Sequence, residues 1–213
     1  MSATGPVLYS YFRSSASWRV RIALAYKKVE YEYRAVNLVK DGGEQKKAAY
    51  MALNPSGLVP ALAIDGHTLG QSVAILEYLE ETRPEPPLLP ADAFLRAVVR
   101  QMVQIIAADT QPVQNLRVLN HVEKLGGNKQ EWAQHYIALN FAALEELLLR
   151  HAGRCCVGDQ LTMADLCLVP QLANAHRFGV DVSKYPTITR IAAGLADRPE
   201  FKAAHPDNQP DKV

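Results

Sequence analysis

The residues best suited to chemistry lie near the start of the chain. Arg13 is followed by Ser14, Ser15 and Ser17, and then by Trp18-Arg19-Val20-Arg21-Ile22-Ala23-Leu24. The apolar run from Pro6 to Leu8 reads as a strand, and Trp18, Ile22 and Ala25 have the spacing of one helical face. The serines therefore sit where a strand hands over to a helix. Any of the three hydroxyls suits the cap, accepting from a free backbone N–H. The same helix end offers unpaired donors and partial positive charge, which stabilise an anion or a forming thiolate without a metal. One serine there reads as a cap. Three beside an arginine, in a first strand-to-helix turn, read as a site.

The elements that must position this turn follow in order. Val29–Val36 alternates apolar and polar side chains as a half-buried strand does, and Gln45–Leu53 reads as a short helix stopped by Asn54-Pro55-Ser56-Gly57. Leu58–Ile64 is the next strand, Asp65-Gly66 is a hairpin signal into His67-Thr68-Leu69, and Gln71-Ser72 opens a helix through Leu79. The order βαβαββα is a thioredoxin-like layout, with a parallel pair from the strand–helix–strand half and an antiparallel hairpin edge. Arg83–Pro90 holds four prolines and reads as a stiff, extended linker.

Beyond the linker the periodicity is helical throughout. Leu95, Val98, Met102, Ile105 and Ala108 share one face, Trp132, Tyr136, Leu139, Ala143 and Leu147 another, and Gly126-Gly127 between them predicts an antiparallel pair. Thr162-Met163-Ala164-Asp165 is a capping-box start to a helix interrupted by Pro170; Tyr185-Pro186 and Arg198-Pro199 open two more, and Asp207–Val213 reads as a loose tail.

Composition excludes several classes. The 213 residues, 48% hydrophobic, suffice for a core, and a net charge of +1 argues against a nucleic-acid partner. No apolar run spans a bilayer, so no membrane is expected. Met1–Pro6 lacks the basic and apolar regions of a secretory signal. Cys155, Cys156 and Cys167 are odd in number and match no zinc spacing, which predicts a reduced, cytoplasmic protein without a metal.

Ser14-Ser15-Ala16-Ser17-Trp18-Arg19-Val20-Arg21-Ile22-Ala23-Leu24 resembles the signature of the zeta-class glutathione transferases, which include maleylacetoacetate and maleylpyruvate isomerases. The usual motif has cysteine where this chain has Ala16. Asn54-Pro55, Val59-Pro60, Gln71-Ser72, the segment Gln111–Leu116 and the stretches Val157–Asp159 and Thr162–Gln171 extend the resemblance over essentially the whole chain.

The resemblance implies the glutathione transferase fold: an α/β thioredoxin-like N-terminal domain (1–83), the proline-rich linker (84–90) and an all-α C-terminal helical domain (91–213). It implies glutathione as cofactor, held by Ser14, Ser15, Ala16, Ser17, Val59, a cis Pro60, Gln71, Ser72, Gln111 and Asn115. Val59 offers its backbone to the cysteinyl unit, and Gln71 and Ser72 hold the γ-glutamyl carboxylate. Ser14 or Ser15 donates to the sulfur, with Arg13 as a further catalytic group. Arg13, Arg117 and Arg177 are the implied contacts to a small dicarboxylate, arginine being suited to bidentate carboxylate binding.

The implied reaction is cis–trans isomerisation of maleylacetoacetate in tyrosine breakdown, in a homodimer. Alternatives are maleylpyruvate as substrate, transfer to α-haloacids, and a non-enzymatic assembly module. Because glutathione is the nucleophile, Ala16 is compatible with isomerisation; reductive dehalogenation through a protein thiol is what it puts in doubt.

Overall fold

The computed structural model describes residues 5–212, so Met1–Thr4, most of the stretch read as lacking a signal, and Val213 lie outside it. The chain divides into two compact units, Met1–Pro86 with Arg198–Val213, and Pro87–Asp197.

The first unit holds β1 (Val7–Ser10), α1 (Ser15–Tyr26), β2 (Glu32–Ala35), α2 (Ala48–Leu53), β3 (Ala61–Ile64), β4 (His67–Gly70) and α3 (Ser72–Thr82), the order expected. The sheet runs β2-β1-β3-β4. β1 pairs in parallel with β2 (Leu8 opposite Tyr33) and antiparallel with β3 (Leu8 opposite Leu62), and β3 pairs antiparallel with β4. Leu8 and Leu62 have no exposed surface and fix the centre of the core.

α1 departs from the one-faced helix expected. Trp18, Val20, Ile22 and Leu24 are buried, and so are Arg19 and Arg21. Burying a guanidinium is costly unless its donors are met. Arg21 meets this condition with Nε on Ala204 O (3.0 Å), Nη1 on Ser10 Oγ (3.1 Å) and Tyr11 O (3.3 Å), and Nη2 on Phe12 O (3.0 Å).

Ala204 belongs to α9 (Pro199–Ala204), which packs on α1. The last sixteen or so residues thus join the first unit rather than the helical domain expected to run to 213. Nor is the tail loose over its described part. Gln209 Nε2 donates to Ala203 O and His205 O, and Asp211 accepts from Phe12 N and Tyr33 Oη.

The linker is likewise no free strap. Lys27 Nζ, paired with Glu80 at 2.9 Å, donates to Arg83 O and Pro86 O. In the second unit Leu88 O accepts from Met163 N, and Leu88 and Leu89 are buried.

The second unit contains α4 (Ala93–Gln104), a π-helical segment (Ile105–Thr110), α5 (Leu116–Lys124), α6 (Lys129–His151), α7 (Met163–Arg177) and α8 (Pro186–Ala196). The long helix expected through Ala108 loses its register at the π segment, where Gln111 N reaches back to Ile106 O. Asn115 then caps a new helix, α5, whose first turn holds Arg117. α5 packs on α6 across the Gly126-Gly127 turn, and of the helix expected through Ala108 the π segment packs on α6 as well. α6 buries Ala133, Ile137, Phe141, Leu144 and Leu148 and leaves Leu139 exposed, so the apolar stripe chosen from the sequence was the wrong one of two.

α7 has the expected capping box, Thr162 with Asp165, and runs through Pro170 without interruption. Among the described residues no helix is long and apolar enough to cross a membrane.

Candidate active site

In the first unit, three backbone features and one buried side chain leave polar groups open for a ligand. The turn Tyr11–Ser14 closes with Ser14 N on Tyr11 O at 3.0 Å, and Arg13 stands at its exposed tip with no partner among the described residues. Ser14 caps α1: its Oγ accepts from Ser17 N at 3.2 Å, and its carbonyl from Trp18 N at 2.9 Å.

That arrangement separates two serines the sequence left equivalent. The Ser14 oxygen is engaged by the helix, whereas the Ser15 hydroxyl and the N–H groups of Ser15 and Ala16 make no bond to a described residue. Ser17 lies deeper, with no exposed surface and an Oγ that also finds no partner. A buried hydroxyl is costly without a partner, so Ser17 faces the same polar demand from inside the helix start.

The second feature is the approach to β3. Val59-Pro60 is a cis peptide, as the resemblance implied. Leu58 O accepts from Tyr50 Oη and from Asn54 Nδ2, both at 2.7 Å. Burial pushes the Tyr50 phenol up to about 12, which keeps it a donor. These two bonds fix the peptide leading into Val59, whose own N–H and C=O bond to no other described backbone group.

The third is the start of α3. Gln71 occupies φ 65°, ψ 114°, and gives the helix no side-chain cap. Positive φ is rare for a residue with a Cβ, and such positions persist where the surroundings hold them, often at binding sites. Ser72 is buried, and its Oγ accepts from Arg19 Nη1 at 3.2 Å. The first amides of α3 are thereby left as donors at a helix N-terminus, an arrangement that favours a carboxylate.

The fourth was not legible in the sequence. Gln45 reads there as one residue of a short helix. It is instead a buried amide in a 3-10 turn before α2, and its Oε1 finds no partner among the described residues.

The remaining candidates lie in the second unit. Gln111 and Asn115 are half-buried in the turn after the π segment. Asn115 Oδ1 is engaged by the cap, accepting from Arg117 N at 3.2 Å, which leaves its Nδ2 as the outward donor. Trp132 Nε1 on Val113 O (3.1 Å) and Gln114 Nε2 on Gln171 Oε1 (3.2 Å) hold this turn. Arg117 is exposed with no described partner. Arg177 closes α7 with its guanidinium 5.5 Å from the centroid of the Phe178 ring.

The described groups therefore fit glutathione by their chemistry. They include a strand entrance with free backbone, a helix start with open amides for a carboxylate, and a second helix start with an open hydroxyl for a thiolate.

Comparisons with known proteins agree. Residues 13–82 match the family model for the glutathione S-transferase N-terminal domain, and residues 116–204 that for the C-terminal domain. The chain is 55% identical to maleylacetoacetate isomerase of Dictyostelium discoideum, over 99% of this chain and 98% of that one. Among solved structures it resembles a bacterial zeta-class maleylpyruvate isomerase, with TM-score 0.93, 43% identity, and coverage of 97% of this chain and 100% of that one. It also resembles maleylacetoacetate isomerase from Anaeromyxobacter dehalogenans, with TM-score 0.88, 50% identity and 98% of each chain covered. That enzyme has been crystallised with glutathione in its active site, and with dicarboxyethyl glutathione and citrate there.

Proposed function

The chain belongs to the glutathione S-transferase family through both its N-terminal and its C-terminal domain, and from that membership we propose that it is a glutathione-dependent cis–trans isomerase acting on maleylacetoacetate. The observation that carries the chemistry is the start of α1, where Ser14 closes the cap while the Ser15 hydroxyl and two amides stay open beside the Arg13 turn. Full-length likeness to maleylacetoacetate isomerases supports the substrate.

Glutathione, when bound, supplies a thiolate able to add reversibly to the activated double bond. Val59 holds its cysteinyl backbone, and Gln71, Ser72 and the α3 amides hold its γ-glutamyl carboxylate. Gln111 and Asn115, in the second unit, are the amides that the resemblance assigns to glutathione. Ser15 donates to the sulfur and, with the helix N-terminus, favours the charged form. Arg13 faces the negative charge that develops on the substrate carbonyl oxygen, the stage at which a fixed donor accelerates reaction most. Arg117 and Arg177, in the second unit, are the arginines that the resemblance assigns to the carboxylates. No proton is lost overall and no water is needed, so exclusion of solvent and alignment are the remaining tasks.

Maleylpyruvate is the second reading, favoured by the likeness to a maleylpyruvate isomerase. The test is glutathione-dependent loss of the cis substrate's absorbance, run with both compounds. A kcat/KM higher for maleylacetoacetate supports the assignment, and a preference for maleylpyruvate replaces it. A cytoplasmic homodimer belongs to the same reading; the three free cysteines suit a reducing compartment, and sedimentation as a monomer at micromolar concentration would remove the dimer.

A further inference from the structure

The turn carrying Arg13 is held from the far end of the chain. Phe12 donates its N–H to Asp211 Oδ2 at 3.0 Å, across 199 positions of sequence. Its carbonyl accepts from Arg21 Nη2 at 3.0 Å. The Phe12 N–H and C=O, which belong to the two successive peptide units before Arg13, are therefore held by charged side chains of opposite sign. The second oxygen of Asp211 accepts from Tyr33 Oη at 2.7 Å, so the carboxylate is anchored to β2 while it grips the turn. Burial above all pushes the Tyr33 phenol up, which keeps it protonated and donating.

The tail reaches this point along a defined path. Arg21 Nε holds Ala204 O, His205 stacks edge-on against Trp18 with ring centroids 5.1 Å apart, and Gln209 closes the last turn onto Ala203 and His205. Burial pulls the Arg21 guanidinium down, and the charge of the Asp211 carboxylate acts in the opposite direction. The tail thus supplies countercharge as well as an acceptor.

We propose that Asp211 is a positioning residue for the reaction: by holding the Phe12 N–H it sets the direction of Arg13 and of the Ser14–Ser15 helix start. The proposal rests on the reading that this turn serves the glutathione sulfur and the substrate. A carboxylate bonded to a main-chain N–H is a strong, directional contact. Without it the two peptides flanking Phe12 are held through their carbonyls alone, Tyr11 O by Ser14 N and Arg21 Nη1 and Phe12 O by Arg21 Nη2, so Arg13, next in sequence and without a partner among the described residues, has a less constrained origin. Displacements on the order of 1 Å at such groups suffice to cost about 10²-fold in rate.

The experiment compares Asp211→Ala, Asp211→Asn and Tyr33→Phe with wild type, each well below its own melting temperature. It reads kcat, the affinity for glutathione, and the pKa of the bound glutathione thiol from thiolate absorbance against pH. Asp211→Ala is expected to lower kcat by about tenfold or more and raise the bound thiol pKa by roughly half a unit, while glutathione affinity changes by less than about threefold. Asp211→Asn keeps an acceptor for Phe12 and turns its amide N–H toward the Tyr33 oxygen, so it should stay within about threefold of wild type. Tyr33→Phe leaves the Phe12 bond intact and should do the same. Should Asp211→Ala not fold, Asp211→Ser, whose hydroxyl falls short of the Phe12 N–H, is read in its place.

A lower melting temperature with wild-type kcat and an unmoved thiol pKa would make Asp211 a structural tie only and overturn the proposal; so would equal kinetic damage from Ala and Asn. A wild-type enzyme inactive with glutathione would instead sink the underlying reading, so the two failures are distinguishable.

Discussion

Arg19, buried in the middle of α1, donates from Nη1 to Ser72 Oγ at the first residue of α3, at 3.2 Å. The bond ties α1, whose start is assigned to the thiol of glutathione, to the start of α3, assigned to its γ-glutamyl carboxylate. Arg19→Met removes it without adding bulk. Because hydrogen bonds to charged groups contribute on the order of 1.5–3 kcal/mol, glutathione affinity should fall about tenfold or more. Calorimetric titration checks this. A reduced melting temperature with unchanged affinity would mean that the bond ties helices together and does nothing for the ligand.

The structure divides the work of the serines. Ser14→Ala removes the α1 cap and should cost about 1 kcal/mol of stability, with turnover largely kept. Ser15→Ala leaves the cap and removes the open donor, so kcat should fall by roughly 10²-fold with little change in melting temperature. Thermal melts and steady-state rates on both variants test the division. Wild-type turnover in both single variants and the double would show that neither hydroxyl serves the sulfur.

Much of this was legible in the sequence because it is local. A serine cap at the start of α1, the hairpin at Asp65-Gly66, the Thr162/Asp165 box and the proline at the start of α8 depend on neighbours a few positions away. The misreadings share a different cause. A π turn at Ile105–Thr110 changes helical register through a bond from Gln111 N to Ile106 O that no residue type announces. The choice between two apolar stripes on α6 is decided by what packs on it. Arg21 and Asp211 reach residues far away in sequence or across α1, so a guanidinium in an apolar helix and a carboxylate in a polar tail carried the only, ambiguous signal. For the site, the sequence marked Ser14, Ser15, Val59 and Gln71 but had no means of separating Ser14 from Ser15 or of drawing attention to Gln45.

Arg177 is the test of the dicarboxylate assignment. It closes α7, where a cation also suits the helix dipole. If it binds a substrate carboxylate, Arg177→Met should raise KM about tenfold or more while glutathione affinity holds. A fall in melting temperature at constant KM would assign it to the helix end and remove it from the site.

With Ala16 in the turn, no cysteine belongs to the site proposed here. Cys155, Cys156 and Cys167 are at most 2% exposed. Burial above all pushes the Cys156 thiol well above its ordinary value, with the nearby Asp165 carboxylate acting in the same direction. A thiol held in the neutral form is a poor nucleophile. The native protein should therefore resist a disulfide reagent at pH 8, while the denatured chain reacts at all three cysteines, and prolonged alkylation of the native protein should leave isomerisation intact. Rapid modification of one thiol with loss of turnover would contradict this.

The central claim is that glutathione acts as a returned cofactor on a cis dicarboxylate substrate. Its most direct measurement is product formed per glutathione, with glutathione supplied at a small fraction of the maleylacetoacetate concentration and free thiol assayed at the end. The account predicts conversion of essentially all substrate to the trans product, no conversion without glutathione, and full recovery of the free thiol. Product formation that stops once it equals the glutathione supplied, with thiol lost in step, would show a transferase that consumes glutathione and would contradict the account.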